Sequence, residues 1–252
     1  NSNYLAGTYL KTGLIHYNRK EDDLALAAFD EVIKKYPGSN ESKQALGKIK
    51  KIYIDKGDAN GFQDYINGVP FADISKNELD STNYVIAENA YLEGKCDKAV
   101  RDFSNYMKRY PKGLFSLNAH YYRADCELKG EFYEEAAKDF EFVVAKPQNK
   151  FTEKSLLALG GIYRKLEKRD EAITAYPRLE NSANRKENVR YAVINLMQLY
   201  VEKEDFDKAS GYANSVLTGV GLMDENLWQQ AKLTLSKTAL KNQNYDQAIV
   251  HL

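Results

Sequence analysis

Small and large apolar residues recur along this chain at two nested intervals. Residues 125–147 show the shorter one: a helix ends at a turn centred on Gly130, and a second helix places Ala136, Phe140 and Val143 at i, i+4 and i+7. That spacing puts all three on one buried stripe. Ala124 lies twelve residues before Ala136 on the preceding helix. Helices approach closely where small side chains meet, so this pair predicts the crossing point of a hairpin. The longer interval is the hairpin itself. Ala25, Phe62, Ala99, Ala136, Ala172, Ala209 and Ala248 occupy equivalent positions, with steps of 37, 37, 37, 36, 37 and 39 residues. Twelve residues before them stand Gly13, Lys50, Ala87, Ala124, Gly160, Met197 and Ser236, mostly small. Four residues after them stand Phe29, Ile66, Phe103, Phe140, Tyr176, Ala213 and Leu252, mostly large.

A single hairpin of this size cannot bury both faces of its apolar stripe, so it stacks on the next. The pattern therefore predicts an all-α solenoid of about seven helical hairpins, one domain over residues 1–252. Its units are 3–37, 39–70, 76–111, 114–147, 151–181, 187–218 and 224–252, the last incomplete. An irregular helical bundle is the alternative, and the regular period argues against it. The second unit departs from the rule, because Lys50 and Phe62 stand where two small residues should touch. A frame on Gly47 and Ala59 restores the small pair but puts Gln63 in the large apolar slot, so it is rejected. We expect a splayed second hairpin with a short second helix over 60–68, opened by Asp58 as N-cap. Gly61 and Gly68, each about 1 kcal/mol worse than Ala inside a helix, also favour a short one. Residues 69–76 form the longest irregular connection, and Ser75 with Glu78 reads as a capping box. Pro177 should kink or shorten the fifth second helix.

These residues resemble the tetratricopeptide repeat family. The family pattern appears in Gly13, Ala25, Phe29 and Pro37, again in Ala87, Ala99, Phe103 and Pro111, and in Leu156, Leu159, Gly160, Tyr163, Ala172 and Tyr176. The resemblance covers essentially the whole chain and implies a right-handed α-α superhelix whose first helices line a concave groove for peptides or partner domains. Residues 114–144 are also similar to bacterial cell-envelope members, including the Tol–Pal coordinator and outer-membrane assembly lipoproteins. The longer period and frequent tyrosines look like long repeat proteins of Bacteroidetes-type bacteria. That similarity implies a periplasmic or outer-membrane-associated location rather than a cytoplasmic one. One subclass clamps acidic peptide tails with Lys, Asn and Arg on successive first helices. The corresponding slots here lack that set, which argues against such a clamp.

Charge narrows the partners. The chain has 36 basic and 36 acidic residues, without the basic excess of a nucleic-acid binder. No apolar run is long enough to span a membrane. The chain opens Asn-Ser-Asn-Tyr with no visible signal peptide, and we expect a monomeric piece of a longer chain. Candidate chemistry is thin. His16, His120 and His251 lie on three different units without metal-ligand spacing and read as core, boundary or solvated residues. No phosphate loop, dinucleotide fingerprint or nucleophile elbow is present. Glu202, Glu204 and Asp205 read as exposed turn acids. Cys96 and Cys126 read as small buried hydrophobes, with a bond between them the alternative.

The 19 tyrosines are the remaining signal. Tyr84, Tyr91, Tyr121, Tyr122 and Tyr191 fall on first helices outside the core slots. Tyrosine offers large contact area and a hydroxyl at low entropic cost, which suits an interface. Asp125, Arg164, Lys165, Asn195 and Gln198 should share that face by helical spacing. Packing between neighbouring repeats is the alternative for all of these tyrosines, favoured for Tyr121, whereas Tyr122 and Tyr191 are expected to be exposed. The function expected is a non-enzymatic scaffold that binds a protein or peptide, with no nucleic acid and no cofactor. A helper or regulatory segment of a larger enzyme or sensor is the alternative.

Overall fold

A computed structural model describes residues 2–72, 75–219 and 225–251. Every regular element among them is a helix. The seven hairpins are α1 (Ser2–Asn18) with α2 (Asp22–Lys35), α3 (Asn40–Lys56) with α4 (Ala59–Asn67), α5 (Lys76–Leu92) with α6 (Cys96–Arg109), α7 (Ser116–Lys129) with α8 (Tyr133–Val144), α9 (Thr152–Lys165) with α10 (Arg169–Ser182), α11 (Lys186–Glu202) with α12 (Phe206–Gly219), and α13 (Glu225–Lys241) with α14 (Tyr245–Val250). The chain divides into two compact units, Asn1–Cys126 and Glu127–Leu252. The expected start of the seventh hairpin at Asp224, and part of the 69–76 connection, lie outside the described residues.

Each hairpin turn is built the same way. Five residues before each second-helix anchor stands one residue with positive φ: Lys20, Gly57, Gly94, Glu131, Glu167, Glu204 and Gln243. Each first helix therefore ends in a left-handed cap. The residue after the cap donates its N–H five residues back, as Glu21 to His16 O, Lys95 to Ala90 O and Phe132 to Glu127 O, at 2.9–3.0 Å. These bonds satisfy carbonyls that the helix end would orphan. The fourth turn was expected to centre on Gly130. It centres instead on Glu131, because the anchor register rather than the nearest glycine sets the cap. The same register settles the second hairpin: Gly57 lies five residues before Phe62, so Lys50 and Phe62 are the correct pair.

At the crossings, the large residue four after the anchor lies on the small residue of the first helix. A Cβ built on Gly13 would overlap the Phe29 ring, and one on Gly160 would overlap Tyr176. Both aromatic residues are fully buried, as are Ala25, Ala99, Ala136, Ala172 and Ala209. The second hairpin has the short helix expected, nine residues in α4 against 14 in α2 and α6, and α3 meets α4 over a shorter length than α1 meets α2. Asp58 caps α4 by accepting from the Gly61 N–H at 2.8 Å. Ser75 caps α5 by accepting from the Glu78 N–H at 3.1 Å, but the capping box is incomplete, since Glu78 pairs with Lys50 at 2.9 Å. Pro177 does not shorten α10, which runs 14 residues, as long as α2 and α6. The fully buried Tyr176 and Leu179 flank it, and their burial outweighs one lost backbone bond.

Side chains also tie each hairpin to the next. Buried Asp80 accepts from Tyr106 OH at 2.6 Å and from the Leu114 N–H at 2.8 Å, so α5 holds the loop that leads into α7. Glu153 does the same for α9, accepting from the N–H groups of Asn184 at 3.1 Å and Arg185 at 3.2 Å and from Asn188 Nδ2 at 2.7 Å. Cys96 and Cys126 form a disulfide with Cα atoms 5.1 Å apart, which corrects the expectation of two buried thiols.

Two stability measurements test this account. Replacing Glu131 with Gly should raise stability by about 0.5–1 kcal/mol, since relief of the left-handed backbone exceeds the added chain entropy, while Gly94→Ala should lower it by about 1 kcal/mol. Thermal unfolding midpoints that moved the other way would refute the cap assignment. The disulfide bridges a separation of 30 residues, so reducing it should cost about 3–4 kcal/mol, read as a lower midpoint in reductant that a Cys96→Ala/Cys126→Ala variant reproduces.

Candidate functional site

A groove lies in the second unit, between first helices α9 and α11. One face of α9 is buried through Leu156, Leu159 and Tyr163. The next positions, Gly161, Arg164 and Lys165, line the groove opposite Tyr191, Asn195 and Glu202 of α11. The cavity they surround measures ≈ 530 Å³. Gly161 forms an open floor, because a Cβ there would meet only Tyr191 OH, at 4.0 Å.

Charge pairing shapes the groove. Arg164 Nη1 donates to both Glu202 oxygens, at 2.8 and 2.9 Å, and Arg169 Nε donates to Oε2 at 3.1 Å. Burial pushes the Glu202 carboxyl up, but the bonds and charges of the two arginines outweigh it and hold the group below the ordinary glutamate range. This trio joins the end of α9, the start of α10 and the end of α11. Tyr191 is exposed, with its ring edge-on to buried Tyr176 at 5.9 Å. Asn195 Nδ2 donates to Tyr191 O at 2.8 Å, which leaves its Oδ1 as the acceptor. Lys165 is exposed on the rim.

Four of the ten expected residues, Arg164, Lys165, Tyr191 and Asn195, thus meet at one groove. Gln198 lies one turn further along α11, where its Nε2 donates to Gln230 Oε1 at 3.3 Å. The other five gather in the first unit. Tyr84 stacks on Phe115 at 4.3 Å, Tyr91 stacks on Tyr122 at 4.5 Å, and Tyr121 meets Tyr122 edge-on at 5.6 Å. Tyr91 OH donates to Asp125 Oδ2 at 2.9 Å. Tyr84 is buried, so it departs from the surface role expected of it, whereas buried Tyr121 follows the packing favoured for it. Tyr122 is half-buried rather than exposed. Burial pushes the Tyr121 hydroxyl up to about 12. Tyr84 and Tyr91 thus meet Phe115 and Tyr122 of the following hairpin, and these rings fill the space between the two hairpins. Glu202 and Arg169 were missed as groove residues. The available signal was that Glu202 stands 38 residues after Arg164, close to one repeat period.

Among the described residues, no group of three or more His, Cys, Asp or Glu could hold a metal ion, and no helix is long and apolar enough to cross a membrane. Residues 8–39, the first hairpin, match the family model described as Tetratricopeptide repeat. This match supports the tetratricopeptide repeat family. No curated protein matches the sequence. Among solved structures, the chain is similar to the apo form of RapI, at 13% identity over 98% of this chain and 94% of that one, TM-score 0.40. It is similar to Pseudomonas aeruginosa pilF at 14% identity over 85% and 91%, TM-score 0.40. A tetratricopeptide repeat protein from Parabacteroides merdae matches at 13% identity over 98% and 90%, TM-score 0.35.

The pairing at Glu202 predicts a pH signature. Its carboxyl titrates lower in the folded protein than in the unfolded chain, so the stability it contributes is complete above the ordinary glutamate value and is lost as pH falls through the lowered folded value. Glu202→Gln should cost on the order of 1 kcal/mol at neutral pH, and the gap between variant and native protein should close below about pH 4. A gap unchanged by acid would show that the carboxylate charge is not what holds the groove.

Proposed function

We propose that this protein is a non-catalytic binding scaffold that holds an extended segment of a protein partner in the α9–α11 groove. One observation carries the reading. Tyr191, Asn195 and Lys165 stand around an open groove of ≈ 530 Å³ whose walls are fixed by the Arg164–Glu202–Arg169 trio. An exposed tyrosine ring offers contact area to an apolar side chain or a peptide plane. The Asn195 amide suits a backbone group, and the Lys165 ammonium suits a carbonyl or carboxylate. Arg164, Arg169 and Glu202 neutralise one another, an arrangement that fixes shape and leaves no general base beside a nucleophile. A hairpin array of the tetratricopeptide type supplies such a surface preformed, so little ordering entropy is lost on binding.

The same proposal extends to the compartment. Disulfides persist in oxidising surroundings and are kept reduced in the cytosol. The Cys96–Cys126 bond therefore supports the cell-envelope location expected from the sequence.

Selection from a random peptide display library, followed by titration of the selected peptides, tests the groove. Tyr191→Ala and Lys165→Ala should each weaken binding about tenfold or more, a loss of about 1.4 kcal/mol, while Lys112→Ala on the first unit should leave it unchanged. Peptides that bind all three variants equally would place the binding surface elsewhere.

A further inference from the structure

The first unit holds a polar cavity of ≈ 500 Å³ between the start of α4 and the length of α6, over buried Asn83 of α5, and we propose that it is a binding site for a phosphate group. Four charged side chains line it: Asp58, Asp102, Lys108 and Arg109. The two acids are already engaged. Asp102 pairs with Lys98, and Asp58 caps α4 by accepting from the Gly61 N–H. The two cations are not, since neither Lys108 nor Arg109 meets a carboxylate among the described residues. The repeat shows that this is a departure. Lys34 and Lys35 end α2 in the slots that Lys108 and Arg109 occupy in α6, nine and ten after the anchor. In α2 the acids one turn earlier neutralise both, Asp30 with Lys34 at 2.6 Å and Glu31 with Lys35 at 2.5 Å. In α6 the same two slots hold Ser104 and Asn105, which carry no charge.

The guanidinium is also held in place. Arg109 Nη1 donates to Asn83 Oδ1 at 3.2 Å, and Nη2 donates to Asn60 Oδ1 at 3.0 Å. Asn83 Nδ2 donates in turn to Leu79 O at 2.9 Å and Tyr110 OH at 3.4 Å, which aims its Oδ1 at the guanidinium. Two amide oxygens therefore fix the plane of Arg109 without neutralising it, and its remaining N–H groups are left for a ligand. The Asn105 amide lines the same wall one turn earlier and offers a further donor. A phosphate carries about two negative charges at neutral pH and oxygens that accept strongly, so it matches two adjacent cations and these donors together. A carboxylate would neutralise only one of the two. The site lies wholly in the first unit and does not depend on the α9–α11 groove.

Calorimetric titration with inorganic phosphate at constant ionic strength tests the site. The native chain should bind phosphate at a single site, and Arg109→Gln and Lys108→Gln should each weaken binding about tenfold or more. Lys35→Gln, at the α2 cation that already has an acid, should leave it unchanged. Lys108 and Arg109 are exposed, so the fold survives their substitution, as circular dichroism will verify. Asn105→Glu is the sharper variant, because it gives Arg109 the acid that Lys35 has. It should abolish phosphate binding while keeping or raising the thermal midpoint, an outcome that damage to the fold would not produce. Titration with O-phosphoserine reads the source of the group: equal affinity points to the free ion and tighter binding to a phosphate carried on a larger molecule, and either supports the site. Acetate that displaced phosphate at equal concentration would show that one negative charge suffices and would overturn the assignment. A native chain that binds no phosphate at millimolar concentration, or an Asn105→Glu variant that binds it as well as the native chain does, would overturn it equally.

Discussion

The structure depends on how closely two helices can approach at one point in each hairpin. A small residue on the first helix lets a large residue of the second lie across it, as Phe29 does on Gly13 and Tyr176 on Gly160. The left-handed cap five residues before each anchor delivers the second helix to that crossing at a fixed register. With both fixed, the remaining apolar stripe of each hairpin has one place to go, the face of its neighbour. Stacking, the Asp80 and Glu153 bridges and the disulfide all follow from that geometry. The second hairpin shows what happens when the rule is relaxed. Lys50 cannot admit a close neighbour, its second helix shrinks to nine residues, and the Lys50 ammonium turns outward to Glu78.

Much of this was legible in the sequence because burial writes itself into residue size. The anchors, the small residues twelve before them and the short α4 could all be read from spacing alone. The caps could not. Five of the seven left-handed positions are Lys, Glu or Gln, residues that carry no conformational signature, and the nearby Gly130 drew attention one residue too early. Pro177 shows the same limit for one half of its expectation, the shortening of α10. Its local cost is real, but the neighbouring Tyr176 and Leu179 are buried so completely that tertiary packing keeps the helix whole. The disulfide escaped because its two cysteines sit in different slots of successive repeats. Only the junction geometry shows that those slots touch.

The candidate site was half legible for a reason that lies in helix geometry. A first helix can present side chains to a groove or to the following hairpin, and a tyrosine is chemically suited to either. Tyr84 and Tyr91 fall three before and four after their small residue, and both meet the next hairpin. Tyr191 falls six before its own and stands clear. Neither spacing within one helix nor register against the repeat separates these cases, since Tyr91 and the groove-lining Arg164 both stand four after their small residue. Glu202 was overlooked because an acid beside a turn is ordinary, yet its place one period after Arg164 made it that residue's counterpart across the groove.

Nearest-neighbour stacking also determines how such a site can behave. In a linear array each hairpin contacts only its neighbours, so local stability is set by one or two junctions. The α9–α11 groove is framed by two hairpins and held by a three-residue charge cluster, so a partner bound there would draw its stabilising effect from that junction alone. The disulfide closes a different junction, between α6 and α7. A covalent bond there raises the cost of opening that junction and leaves the groove walls to the Arg164–Glu202–Arg169 cluster. The disulfide and the charge cluster therefore fasten different junctions, and the groove walls depend on the cluster alone.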